Sequence, residues 1–252
     1  MNDDVTEAFE LPGDATGVLL LHGFTSTPQS VRHVGHRLHQ LGGFTVLAPL
    51  LAGHGETPEA LARTGQLDWL TSAETALRTL RTKCPRTIVA GLSLGGTIAL
   101  NLGARFPQLV DGVATINGSI GLYRPEQARS VFEPTADGFG PGIGSDICRS
   151  GVREICYERI PASTLEQRFV LTMATGLMLP CLIRPVLVMQ SRIDHVVDPA
   201  SGPCIVQRVG STLIELRWLE RSWHVATLDH DRDLIVDYLV GFITRIAASS
   251  TA

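Results

Sequence analysis

Short β-rich runs at 17–21, 45–48, 87–90, 112–116, 185–190 and 213–218, several of them near-continuously apolar, alternate along this chain with longer stretches of helical periodicity. A strand that is apolar at consecutive positions is buried on both faces, the condition of a parallel sheet covered by helices on either side. The intervening stretches supply such helices. Val31, Val34, Leu38 and Leu41 fall on one stripe that Gly42 can terminate, and Trp69, Ala73, Ala76, Leu77 and Leu80 form another ahead of Pro85. Further helices are expected from about 95 to 106, stopped by Pro107, and from about 231 to 247. The pattern predicts an α/β fold with a mostly parallel central sheet and helices on both faces. A length of 252 residues suits one such domain, or a core carrying an insertion.

The alternation breaks between 119 and 181. No clear strand is visible there; a Gly- and Pro-rich stretch, "EPTADGFGPGIGSD", leads into weakly helical segments around Arg153 and over 164–178. Long insertions between core elements often shape binding sites, so the segment is read as a small inserted cap. The expected division is core at 1–118, cap or lid at 119–181 and core again at 182–252. Phe169, Val170, Leu171, Met173, Leu177 and Met178 would give the cap one apolar face.

Charge and cysteine content narrow the function classes. Charged residues are 18% of the chain, the net charge is −4, and no run of five like charges occurs, so the footprint of a nucleic-acid binder is missing. The opening Met1-Asn2-Asp3-Asp4 is acidic, no basic segment with an apolar core follows it, and the longest apolar run is too short to span a bilayer. The expectation is a soluble, cytoplasmic protein without membrane insertion. Five cysteines form an odd set with no C-x-x-C pair, which predicts reduced and mostly buried thiols; a Cys148–Cys156 bridge would require export.

Within this framework "TIVAGLSLGG", residues 87–96, places one serine where an apolar strand breaks into a helix, between glycines at 91 and 95. G-x-S-x-G arises by chance about 0.15 times in a chain of this composition, so the neighbouring chemistry has to support it. A sharp strand-to-helix turn holds the serine hydroxyl out as a nucleophile and requires neighbours without side chains. Such a serine needs a base, a carboxylate that fixes the base's tautomer, and donors for an oxyanion. For the acid, Asp194 lies in the loop just beyond the strand "VLVMQ", while Asp198, ahead of Pro199, better fits a turn or helix start. For the base, His224 follows the last strand; His195 adjoins the acid, and His230 sits near the start of the last helix. One oxyanion donor is the N–H of Leu94, at the positive end of a helix dipole, and the second is the N–H of Phe24, after the early strand ending in His22-Gly23. Gly23 allows a tight backbone approach there, and His22 orders the loop. Phe24, Phe169 and Met173 are the candidates for lining an apolar acyl pocket.

Other features carry less. His33, His36 and His39 drift around a helix with no acidic partner and are read as structural, without a metal. "LLAGHGET" is a glycine-rich turn, and it matches neither phosphate-binding glycine pattern.

Together "LLHGFTSTPQSVR", "LLAGHGETPE", "DWL", "GLSLGG", "SRIDHVVDP" and "SWHVATLDHD" resemble the bacterial carboxylesterase and monoacylglycerol lipase family of small α/β-hydrolases, over a span from Leu20 to Asp231 outside the cap. The resemblance implies the α/β-hydrolase fold, Ser93 as nucleophile, Asp194 as acid, His224 as base and the Phe24 and Leu94 amides as oxyanion hole. It also implies a small cap, no cofactor, and hydrolysis of short- to medium-chain acyl esters, monoacylglycerols among them. No motif in 119–181 aligns with the family, so no contact to a glycerol moiety is carried over to Glu154 or Glu158. The partner expected is a small-molecule ester, bound by a monomer or a homodimer paired through apolar cap surfaces. Two rivals are a same-fold serine enzyme for acyl transfer or carbon–carbon bond cleavage, and a binding protein that kept the fold without turnover. A dehalogenase-type mechanism is disfavoured, because its nucleophile would be a carboxylate.

Overall fold

A computed structural model describes residues 5–122, 125–133 and 135–249; the acidic opening and part of the expected cap lie outside the described residues. In chain order the elements are β1 (Phe9–Leu11), β2 (Thr16–Leu21), α1 (Gln29–Gly42), β3 (Thr45–Ala48), α2 (Pro58–Leu61), α3 (Gln66–Lys83), β4 (Arg86–Leu92), α4 (Leu94–Arg105), β5 (Gly112–Ile116), α5 (Pro125–Ser130), β6 (Phe139–Pro141), β7 (Arg159–Pro161), α6 (Ala162–Met178), β8 (Val186–Ser191), α7 (Ser201–Arg208), β9 (Ile214–Leu219) and α8 (Arg232–Ser249). The main sheet has seven strands in the order β1-β3-β2-β4-β5-β8-β9. All its pairs are parallel except β1 with β3 at the edge.

The expected strands are present within a residue or two, and burial explains why they read so clearly. In β2, Leu19 and Leu21 face one core with α3 and α4, while Val18 and Leu20 face the other, with α1 and α8. In β8, Val186 and Val188 share the first core and Leu187 and Met189 the second. Successive residues point to opposite faces, so two greasy faces make a continuously apolar run.

Several expectations need correction. β1 was not foreseen, because three residues with Glu10 at the centre carry no periodic signal. Helix α1 runs through Gly42 and is closed by Gly43, which is left-handed at φ 69° and donates its N–H to His39 O. Val31, Val34 and Leu38 are buried, but Leu41 is exposed. Between β5 and β8 the backbone around Arg153 is irregular rather than helical, and β6 and β7 form a short antiparallel ladder where no strand was expected. Of the apolar residues assigned to one cap face, Leu171 is buried in the core shared with α3 and α4, whereas Val170, Met173 and Leu177 are exposed. A buried bond from Asn101 Nδ2 to Thr175 Oγ1 (3.1 Å) joins α6 to α4. Helix α6 is therefore packed on the core, and the stretch that reaches over the sheet's carboxyl edge is the irregular one before β7. Only Cys84 of the five cysteines is fully buried, and all five thiols are free.

Leu80 is fully buried between α3 and the sheet, whereas Leu67, at the start of the same helix, is 70% exposed. Leu80→Ala is expected to cost about 3 kcal/mol in urea unfolding and Leu67→Ala under about 0.5 kcal/mol. Equal costs would overturn this assignment of the helix face.

Candidate active site

β4 runs buried to Leu92, and the chain turns at Ser93 with φ 53° and ψ −116° before α4 begins at Leu94. This is a strained backbone for a residue with a side chain. Its neighbours leave no room for one: a Cβ on Gly91 would stand 2.2 Å from the Gly95 carbonyl carbon, and a Cβ on Gly95 would stand 2.3 Å from Leu21 O. The Ser93 N–H donates to Ile116 O (2.9 Å), pinning the bend to the end of β5.

The loops after β8 and β9 bring the two other expected groups to this bend. His224 Nε2 lies 2.9 Å from Ser93 Oγ, and His224 Nδ1 lies 2.9 Å from Asp194 Oδ2. The other Asp194 oxygen accepts the N–H groups of Val196 (2.9 Å) and Val197 (2.8 Å), so the carboxylate is held from its own loop. Both His224 and Asp194 are buried. With its Nδ1 proton directed at Asp194, the imidazole presents Nε2 as an acceptor to the serine hydroxyl.

Leu94 is the first residue of α4, so its N–H lacks an acceptor within the helix. Phe24 follows β2 and borders the same cavity as Ser93. Its ring packs edge-on against Trp69 (5.5 Å) and His54 (6.2 Å). His22 fixes this loop: Nδ1 donates to Gly23 O (2.9 Å) and Nε2 accepts the Leu51 N–H (3.1 Å). Burial, with His54 beside it, pushes the His22 pKa down to about 3, and burial takes His54 to about 4. Both imidazoles stay neutral at any ordinary pH. The steric role expected for Gly23 is not required, since a Cβ there would make only ordinary contacts, the nearest at 3.6 Å from Ser93 Cβ.

The cavity above Ser93 is only about 20 Å³, room for one water molecule. It is lined by Phe24 and Thr25 from the early loop, His224 and Val225, and Ile143, Gly144 and Glu154 from the segment between β5 and β8. That segment is stitched down. Gln29 donates to Arg153 O and accepts the Ile155 N–H, both at 3.2 Å, and the Tyr157 hydroxyl donates to Gly53 O (2.8 Å) and accepts the Glu56 N–H (2.9 Å). The "LLAGHGET" turn thus anchors the roof. Phe169 and Met173 do not line this cavity: the Phe169 ring meets Phe132 (6.2 Å), and Met173 lies against Gly121.

Three groups around His224 carried no sequence signal of their role. Asn117, in the left-handed region at φ 50°, donates through Nδ2 to His224 O (2.7 Å) and Ser191 Oγ (2.9 Å). Its Oδ1 accepts from Ser191 N (2.7 Å) and Gln190 Nε2 (3.1 Å). The fully buried Asp229 carboxylate accepts the N–H groups of Trp223, His230, Cys148 and Arg149. Asp146 accepts the His224 N–H itself (3.0 Å). The only signal available was a polar residue beside a strand end or inside "SWHVATLDHD". The competing candidates lie elsewhere: Asp198 caps Ala200 N–H (2.9 Å), His195 is exposed against Trp223, and His230 is exposed. His33 does have an acidic partner, Asp233 (2.8 Å), but no group of three metal-ligating side chains occurs among the described residues. No helix among them is long and apolar enough to cross a membrane.

Comparison with known proteins agrees with this architecture. The model of the alpha/beta hydrolase family matches residues 18–238. A thermostable monoacylglycerol lipase of Bacillus sp. (strain H-257) is 36% identical over 96% of this chain and 95% of its own length, and a carboxylesterase of Bacillus subtilis (strain 168) is 30% identical over 94% and 96%. A solved structure from work on LipS and LipT, two metagenome-derived lipolytic enzymes, superposes with a TM-score of 0.92 at 38% identity, covering 95% of this chain and 98% of that one. At 15% identity, a soluble variant of the monoglyceride lipase of Saccharomyces cerevisiae shares the fold, with a TM-score of 0.79 over 95% and 91%. A half-buried serine at a strand-to-helix bend of a parallel sheet and similarity along nearly the whole chain lead to one conclusion: this protein belongs to the alpha/beta hydrolase family, alongside its bacterial carboxylesterases and monoacylglycerol lipases.

Proposed function

We propose that the protein is a carboxylic ester hydrolase in which Ser93, His224 and Asp194 act as nucleophile, base and acid. The observation that carries this reading is the unbroken hydrogen-bond chain from Ser93 Oγ through His224 to Asp194, each link 2.9 Å, in a buried site. His224 Nε2 takes the serine proton as Oγ bonds to the ester carbonyl carbon, and the carbonyl oxygen becomes an oxyanion. The N–H groups of Phe24 and Leu94 receive that charge, Leu94 with the helix dipole behind it. The intermediate collapses, the carbon–oxygen bond to the alcohol breaks, and the alcohol leaves with the proton from His224. Water then repeats the cycle on the acyl-enzyme: His224 removes its proton, and Ser93 is released with the carboxylic acid.

The lining supports the substrate class we propose. Phe24, Ile143 and Val225 give the site an apolar side, the chemistry that short- to medium-chain acyl esters require. Glu154 is the carboxyl on the same cavity, and burial raises its pKa to about 7 from 4.5, against the pull of the Ser26 hydroxyl and of His224. A neutral carboxyl can both donate and accept a hydrogen bond, which suits an alcohol moiety that keeps free hydroxyls. Monoacylglycerols have that character, and the Bacillus sp. relative is named for them.

The direct test is hydrolysis of p-nitrophenyl esters over a series of acyl lengths. Ser93→Ala is expected to lower kcat at least about 10³-fold with the fold intact, and an optimum at short to medium chains sizes the pocket. Retained turnover in Ser93→Ala would remove the proposal.

For Glu154, substitution by Ala is expected to raise KM for a glycerol monoester about tenfold more than for the ethyl ester of the same acid; equal effects would exclude it from the alcohol side.

The same carboxyl leaves a mark on stability. Between pH 4.5 and about 7 the unfolded chain has released this proton while the folded chain retains it, so its contribution to stability is lost as pH rises through that window. Relative to wild type, Glu154→Gln is therefore expected to gain unfolding free energy steadily from pH 4.5 to about 7, by up to about 3 kcal/mol, read as a rising difference in Tm. A difference that stays flat with pH would contradict the neutral carboxyl.

A further inference from the structure

The main chain of His224 is gripped on both sides. From the core, Asn117 at the end of β5 donates to the His224 carbonyl. From the segment between β5 and β8, Asp146 accepts the His224 N–H through Oδ2 (3.0 Å), and the Asp146 carbonyl accepts the Val225 N–H (3.0 Å). One residue thus makes two consecutive main-chain bonds to the histidine loop. The same carboxylate reaches the acid loop: Oδ2 accepts the N–H of His195 (3.3 Å) and Oδ1 lies 2.8 Å from His195 Nδ1. His195 immediately follows Asp194, and its ring stands edge-on to Trp223, which immediately precedes His224. Asp146 therefore ties together the two loops that carry the base and the acid, from a segment that also roofs the cavity through Ile143, Gly144 and Glu154.

We propose that Asp146 is a positioning residue for the base: by holding the His224 N–H and the residue after Asp194 with one carboxylate, it makes the docked roof segment part of what sets the His224 imidazole against Ser93. The inference rests on the triad reading above. It distinguishes this residue from a generic anchor. Asp229 binds four backbone N–H groups but none belonging to His224 or the acid loop, whereas Asp146 holds both triad loops without itself lining the substrate cavity. A base displaced by about 1 Å loses on the order of 10²-fold in rate while substrate binding is little changed, so the signature lies in kcat.

The experiment compares wild type, Asp146→Ala, Asp146→Asn and Ser93→Ala on one p-nitrophenyl ester of the preferred chain length, with Tm measured for each. Asp146→Ala should lower kcat about 10- to 100-fold with KM changed less than about threefold. Asp146→Asn keeps an oxygen for the His224 and His195 N–H groups, and its amide can donate to His195 Nδ1. It should recover kcat to within about threefold of wild type. Labelling of Ser93 by a fluorophosphonate should slow in Asp146→Ala in the same proportion as kcat, because both depend on the base. If Asp146→Ala does not fold, Asp146→Asn and Asp146→Ser carry the comparison, the serine retaining one acceptor and losing the bridge; the order wild type, Asn, Ser in kcat is then required. Folded Asp146→Ala with wild-type kcat, or Asp146→Asn as impaired as Asp146→Ala, overturns the proposal. Turnover surviving in Ser93→Ala would instead strike the triad reading, so the two failures are distinguishable.

Discussion

At residue 93 a serine occupies a backbone conformation that a side chain disfavours, costing on the order of 1–3 kcal/mol. That bend survives because everything around it over-determines it: the Ser93 N–H is taken by β5, Gly91 lies against Gly95, and Gly95 lies against the last carbonyls of β2. Three adjacent strands therefore have to be in register before the hydroxyl is exposed. The sheet, with both faces buried, supplies that register and the stability that offsets the strain.

From the bend outward, the site is assembled by loops at one edge of the sheet, and buried side chains hold much of their main chain. Asn117 uses both ends of its amide to join the ends of β5 and β8 to the His224 carbonyl. Gln29 does the same between the start of α1 and the roof. Buried amides and carboxylates bonded through both ends give such loops one arrangement, because any other leaves more desolvated polar groups unmatched. The neutral His22 and His54 add order under Phe24 without adding a charge to the loop.

How much of this could be read in the chain depends on where each signal resides. The core strands were legible because burial on two faces writes itself as consecutive apolar residues; Ser93 and Asp194 each follow such a strand, while His224 follows the half-buried β9, whose apolar residues are interrupted by Glu215 and Arg217. The edge strand β1 and the ladder of β6 with β7 are three residues each, too short for periodicity. The backbone near Arg153 takes its shape from Gln29, more than a hundred positions away. Asn117 and Asp146 were invisible for a similar reason: each acts on the main chain of His224 across 107 and 78 positions, and a backbone partner leaves no residue type to recognise. Phe169 and Met173 were chosen for apolarity, which in α6 serves packing and surface instead.

The seams of the roof also bear on how freely such a segment can be exchanged. Its anchors lie in the host: Gln29 in α1, Gly53 and Glu56 in the turn after β3, and Asp229 beside α8. A roof transplanted from a relative would arrive with its own Asp146 or Tyr157 equivalents but meet foreign docking points, leaving backbone groups beside Ser93 unmatched. The unit that can be swapped between relatives is therefore the roof together with its scattered receptors, and specificity here is a property of a discontinuous surface rather than of a contiguous module.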